Sequence, residues 1–201
     1  EICMQVSTTK ESHFVQRNED CFALWGKSRR CERCISQDAV RMGKIQTKVE
    51  PIGNDVYYVF CVQEELGCRG SKPTAARIKP DIGIAVDITP AHDYPCDLEG
   101  SNEVDGGIGI KICDPSVVCD EDVVAAMEKA CEDNHIKYQR EVIDKGGTDA
   151  SSMNLSGYGV KAGGIVVTTR YPHSQSAVAS KADIEAGVDL MTAFSKTEFT
   201  F

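Results

Sequence analysis

Three apolar, β-branched runs in this chain end beside residues able to hold a metal ion. Val56-Tyr57-Tyr58-Val59-Phe60-Cys61-Val62 leads into Gln63-Glu64-Glu65, Ile82-Gly83-Ile84-Ala85-Val86 into Asp87, and Ile165-Val166-Val167-Thr168-Thr169 into Arg170-Tyr171-Pro172-His173. Runs of this kind are strands of a buried sheet. In open α/β sheets the loops beyond the strands' carboxyl ends bring distant residues together. Two carboxylates and an imidazole delivered there suit a borderline cation such as zinc. The other carboxylate of the Glu64-Glu65 pair is left over to act as a base.

Each feature alone has a plainer reading. Glu64-Glu65 also suits a solvated acidic loop, and His173 a surface residue whose backbone Pro172 fixes. Asp87, after a strand apolar on both faces, requires a partner, whether metal, Arg or backbone amides. A glycosidase pair fits Glu64 and Glu65 poorly, because adjacent residues do not flank a sugar. Gly146-Gly147-Thr148-Asp149 reads as a tight turn into a helix, with Thr148 or Asp149 as N-cap; the Lys-Ser/Thr ending of a P-loop is missing. Cys31-Glu32-Arg33-Cys34 has no matching second pair and reads as incidental.

The net charge of −9 carries no basic stripe, which argues against a nucleic-acid partner. The longest apolar runs are strand-sized, so no membrane helix is expected. Of ten cysteines, Cys61, Cys113 and Cys131 occupy apolar positions of regular elements, where a thiol acts as a small hydrophobe. A reduced, cytosolic protein is expected. The start, Glu1-Ile2-Cys3-Met4-Gln5, shows neither Met nor a signal pattern, so a fragment or processed form is expected.

From Asp55 onward the pattern is α/β. One helix follows Asp120 as N-cap, with Val123, Val124, Met127, Ala130 and Cys131 as its stripe. Another follows Ser180, with Asp183 in capping-box position and Ile184, Val188, Met191 and Phe194 at helical spacing. Loops are expected over Thr89 to Pro95, Asp105 to Gly109, Lys145 to Gly147 and Gly157 to Gly164. Residues 1 to about 50 lack lasting periodicity and read as a weak folder, with a short helix between Val40 and Val49 as its one candidate element.

Val62-Gln63-Glu64-Glu65-Leu66-Gly67-Cys68-Arg69-Gly70, Ala85-Val86-Asp87-Ile88-Thr89, Gly146-Gly147-Thr148-Asp149-Ala150 and Arg170-Tyr171-Pro172-His173-Ser174 follow in that order. Together they resemble the co-catalytic metallo-aminopeptidases of the deblocking or glutamyl aminopeptidase family, also known as cellulase-M-like. The resemblance implies a mixed, mostly parallel central sheet flanked by helices, a zinc-peptidase-like three-layer sandwich. It implies two divalent ions, zinc or cobalt, about 3.5 to 4 Å apart. Glu64 would be the general base, Glu65 and His173 would ligate one ion, and Asp87 the other. The substrate would be a peptide, and the family assembles into large tetrahedral homo-oligomers through an inserted dimerisation domain.

Two departures accompany the match. The family's early His ligand has no counterpart, since His13 lacks the expected context. Where the family's bridging Asp belongs stands Cys31, with Asp38 a second candidate. Residues 1–54 are therefore expected to be an atypical segment without the inserted domain, truncated relative to the family, and 55–201 the C-terminal part of its catalytic domain. A frameshifted or wrongly placed gene start would produce this pattern. The alternative function is a non-catalytic, peptide- or partner-binding protein derived from the family; a cellulase role stands third.

Overall fold

The computed structural model describes residues 2–8 as a strand, and residues 54–96 and 99–199 throughout. Strands β1 (Ile2–Thr8), β2 (Val56–Val62), β3 (Ile82–Pro90), β4 (Ile108–Asp114), β5 (Val117–Val118), β6 (Tyr138–Val142), β7 (Lys161–Arg170) and β8 (Val178–Ala179) form one eight-stranded sheet. Its central order is β2-β1-β3-β7-β4-β5, with β6 pairing β4 and β8 pairing β7. The ladders from β2 through β1 and β3 to β7 are parallel, and the step from β7 to β4 is antiparallel. The expected mixed, mostly parallel sheet is what the chain forms.

Among the described residues, four helices cover the two faces: α1 (Ser71–Ile78), α2 (Glu121–Asp133), α3 (Asp149–Asn154) and α4 (Lys181–Phe194). Side chains alternate across a strand, so Ile82 and Ile84 face one layer and Ala85 the other. Ile82, Ile84, Ile108, Ile110 and Ile165 pack with Val123 and Met127 of α2 and Leu190, Met191 and Phe194 of α4. Fully burying one such side chain contributes about 1.5 to 3 kcal/mol. Ala75 of α1 and Ala150 and Met153 of α3 pack on Ala85 and Ala162 from the opposite side. The result is the three-layer arrangement. No inserted second domain interrupts it among the described residues.

Local signals account for the helix starts. The Asp120 carboxylate accepts from the amides of Asp122 and Val123, and the Ser180 hydroxyl from that of Ala182. Asp183 departs from the capping-box expectation. Its buried carboxylate instead accepts from the amides of Asp105 at 2.8 Å and Gly107 at 2.9 Å. The buried stripe of α4 keeps the expected Met191 and Phe194 and adds Asp183, Gly187 and Leu190, while Ile184 and Val188 are only half-buried.

Several boundaries move. Asp87 does not end its strand: β3 runs on to Pro90, because Thr89 and Pro90 still pair with Thr168 and Thr169. β7 begins at Lys161, inside the expected glycine loop. A Cβ on Gly163 would lie 2.7 Å from Val123 Cγ1, and one on Gly164 2.8 Å from Lys111 Cβ, so these glycines are strand positions under close-packed neighbours. Likewise β4 begins at Ile108, within the loop expected to reach Gly109. Ile2–Thr8, which the sequence reading leaves without an element, pairs in parallel with both β2 and β3. Val40 to Val49, Cys31 and Asp38 lie outside the described residues.

Candidate functional site

Parallel pairing brings the carboxyl ends of β2, β3 and β7 to one side of the sheet. Phe60 and Val86 both pair with Val6, so Asp87 lies just past that level and Glu64 further out. Beyond β2 the chain folds back sharply. Gln63 and Cys68 take left-handed φ values of 57° and 51°, Gly67 takes 107°, and the Gly70 amide donates to the Val62 carbonyl at 3.0 Å. A side chain on Gly70 would meet the Val62 backbone at 2.7 Å, so the return requires glycine there. This turn points Glu64 and Glu65 into different surroundings: Glu64 meets Cys68 and Glu65 meets His173.

Glu65 meets His173: Nδ1 stands 3.4 Å from Oε1, an ion pair only when the imidazole is protonated. Glu64 faces inward, where the Cys68 thiol donates to its Oε1 at 3.6 Å. Asp87 keeps some solvent contact, and its Oδ1 accepts from the Ile88 amide at 2.8 Å. Desolvation, then the negative charges of Glu64, Asp149 and Glu65, push its carboxyl up to about 8 against the amide's opposing effect. The same acidic surroundings act on Cys68. Burial first, then Asp149 and Glu64, push its thiol up to about 12.

Asp149 is the residue that sequence reasoning assigned elsewhere. Thr148 and Asp149 stand as alternative caps in the sequence, and Thr148 takes the role, accepting from the Ala150 amide. The Asp149 carboxylate is buried, and neither oxygen has a hydrogen-bond partner among the described residues. Burial raises its pKa from the ordinary aspartate value, and the nearby Ser71 hydroxyl and Cys68 thiol offset part of that. Nothing local marks this inward turn; it follows from α3 packing against α1.

Glu64, Glu65, Asp87 and Asp149 thus gather carboxyl groups at one sheet end, where Glu65 meets the His173 imidazole. Hard oxygen donors with one imidazole nitrogen are a donor set suited to a divalent cation. Convergence is pairwise, however. Among the described residues no group of three His, Cys, Asp or Glu side chains stands close enough to hold an ion.

Residues 40–190 match the model of the M42 glutamyl aminopeptidases, a stretch that contains Glu64, Glu65, Asp87, Asp149 and His173. The chain belongs to the M42 glutamyl aminopeptidase family. A relative from Acetivibrio thermocellus, provisionally named an aminopeptidase, is 42% identical over 138 residues, 69% of this chain and 42% of that protein. Among solved structures, aminopeptidase APDkam598 from Desulfurococcus kamchatkensis superposes with a TM-score of 0.75 at 34% identity, covering 79% of this chain and 46% of that one. Pyrococcus horikoshii TET1 peptidase, described as assembling into a tetrahedron or a large octahedral shell, superposes at 0.68 with 27% identity, covering 78% and 46%. The chain therefore spans less than half the length of these M42 relatives.

Proposed function

We propose that this chain supplies the C-terminal part of an aminopeptidase active site, hydrolysing the N-terminal peptide bond of a peptide. In this reading Glu64 takes a proton from the attacking water and returns it to the leaving amine. Glu65 and His173 would hold one divalent ion and Asp87 the other, with Cys31 or Asp38 as candidates for a further ligand. Two such ions, zinc or cobalt, supply Lewis-acid polarisation of the scissile carbonyl and a more acidic water when bound.

The observation that carries the reading is the approach of His173 to Glu65, two exposed side chains from the ends of different strands. Isolated exposed pairs contribute little to folding, and two ligand-type side chains brought together at the sheet end suit a shared cation. The carboxylate excess around Asp87 supports the same conclusion.

Residues 1–54 as an atypical segment, and 55–201 as the catalytic part, belong to this proposal. Homo-oligomerisation is proposed from the assembly described for TET1. A reducing, cytoplasmic setting is proposed from Cys68, Cys113, Cys119 and Cys131, which carry thiols rather than disulfides. Among the described residues no helix is long and apolar enough to cross a membrane.

The test measures zinc and cobalt content by elemental analysis, together with turnover of a chromogenic aminoacyl substrate before and after Glu64→Gln. Stoichiometric metal with turnover lost in the variant is expected. Undiminished turnover in Glu64→Gln removes Glu64 as the base.

A further inference from the structure

His173 sits three residues past β7 in a turn whose Tyr171 and His173 both have positive φ, 56° and 57°. Its side chain is 69% exposed, so packing does not set its position. The backbone must set it. Within the turn, the Ser174 amide and hydroxyl both return to the Tyr171 carbonyl, at 3.3 and 2.7 Å. Those bonds shape the turn without aiming it.

Aim comes from the segment after β3, the strand that carries Asp87. Arg170 Nε donates to Asp93 Oδ1 at 2.9 Å and its Nη2 to Oδ2 at 2.5 Å. A guanidinium paired with a carboxylate in this two-pronged way fixes direction as well as distance. Next along the chain, the Tyr171 amide donates to the Tyr94 hydroxyl at 3.4 Å, and the two rings meet edge to face with centroids 4.8 Å apart. The Ala91 amide donates to the Thr169 carbonyl at 2.9 Å, extending the ladder up to this clamp. Asp93 is itself held, since Oδ2 also accepts from the Val104 amide at 3.2 Å.

We infer that the Asp93–Arg170 and Tyr94–Tyr171 contacts form a positioning clamp that presents the His173 imidazole to the cation shared with Glu65. The clamp ties the strand carrying Asp87 directly to the turn carrying His173, so it governs the spacing between the two halves of the site. This inference rests on the proposal that Glu65 and His173 hold a divalent ion. Asp93, Arg170, Tyr94 and Tyr171 are positioning residues: they act through His173.

Zinc alone is the probe. The metal-free full-length chain is titrated with zinc in competition with a chromophoric chelator, for wild type, Arg170→Ala, Arg170→Lys and Tyr94→Phe, with circular dichroism and thermal melting of each metal-free form. Outer-shell partners of metal ligands typically govern affinity by about 10- to 100-fold. Arg170→Ala is therefore expected to weaken zinc binding at least about tenfold. Arg170→Lys, which keeps the charge but loses the fork, should fall between it and wild type, while the metal-free melting temperatures stay close together. Should Arg170→Ala fail to fold, Arg170→Lys and Tyr94→Phe carry the test by the same criterion. Unchanged zinc affinity in the folded variants overturns the clamp and leaves the aminopeptidase reading standing. A zinc deficit that merely follows a lowered melting temperature also overturns it, in favour of a structural role. A wild-type chain that takes up no zinc overturns the clamp and the metal reading together.

Discussion

His173 Nδ1 lies 3.4 Å from Glu65 Oε1, joining the turn after β7 to the turn after β2 across the mouth of the sheet. Both side chains are substantially exposed, so in the metal-free protein the pair contributes at most about 1 kcal/mol. His173→Ala should leave the urea midpoint of chelator-treated protein nearly unchanged while removing the stabilisation that added zinc confers on wild type. Strong destabilisation of the metal-free form would mean that the pair is a structural strut.

Asp87 makes stability pH-dependent in a direction opposite to that of most carboxylates. Its folded pKa is raised from 3.8 to about 8, so between those values the folded chain binds the proton more tightly than the unfolded one. This group's contribution is therefore largest below the lower value and is lost as pH rises toward 8. Metal-free wild type is expected to lose more stability than Asp87→Asn between pH 5 and pH 8, measured by urea unfolding. Equal losses would rule out Asp87 as the source. Metal binding below pH 8 should also release a proton, which calorimetry in buffers of different ionisation enthalpy would detect.

Lys111 is fully buried, with Nζ 3.0 and 2.8 Å from the two carboxylate oxygens of Glu141 and 3.1 Å from Asp114. Burial opposes its charge, but Glu141 and Asp114 outweigh it and hold its pKa above the ordinary lysine value. Thr89 donates to the same Glu141 at 2.6 Å. Lys111→Met strands two buried carboxylates and should cost about 3 to 5 kcal/mol. Lys111→Met with Glu141→Leu should be less destabilised than the single variant in chemical denaturation. An additive double variant would show that the two side chains do not interact energetically.

Cys68 provides a check on the surroundings of Glu64. With its thiol pushed up to about 12, negligible thiolate exists at pH 8, so iodoacetamide should label Cys68 far more slowly than an ordinary exposed cysteine. Mass spectrometry of the labelled peptide reads this directly, and rapid labelling would contradict the burial and acidic field described. Under the aminopeptidase reading, Cys68→Ala removes one donor to Glu64, worth about 1 kcal/mol, and should lower kcat about fivefold with Cys68→Ser close to wild type.

Much of the fold was legible where one short stretch holds the whole signal. Asp120 and Ser180 each cap a helix through amides two or three residues away, and β2, β3 and β7 announce themselves by apolar β-branched runs. Legibility failed where partners are remote. Gly163 and Gly164 read as a loop because nothing near them in sequence reveals that Val123 and Lys111 fill the space above them. Ile2–Thr8 is unremarkable alone and becomes a strand by pairing on both sides. Asp183 looked like a capping-box residue because the amides it serves, Asp105 and Gly107, arrive from a distant turn.

What the amino-acid order determined by itself was the inventory: which runs must be strands, which carboxylates and imidazole follow them, and, through four ordered motifs, the family. Tertiary structure alone decided which of those groups meet. Parallel register sets the ends of β2, β3 and β7 at one side, the return at Gly70 separates the surroundings of Glu64 and Glu65, and helix packing turns Asp149 inward. The reason is that capping and periodicity are energies of neighbouring residues, whereas a site assembled at strand ends depends on pairing register, which distant parts of the chain establish together.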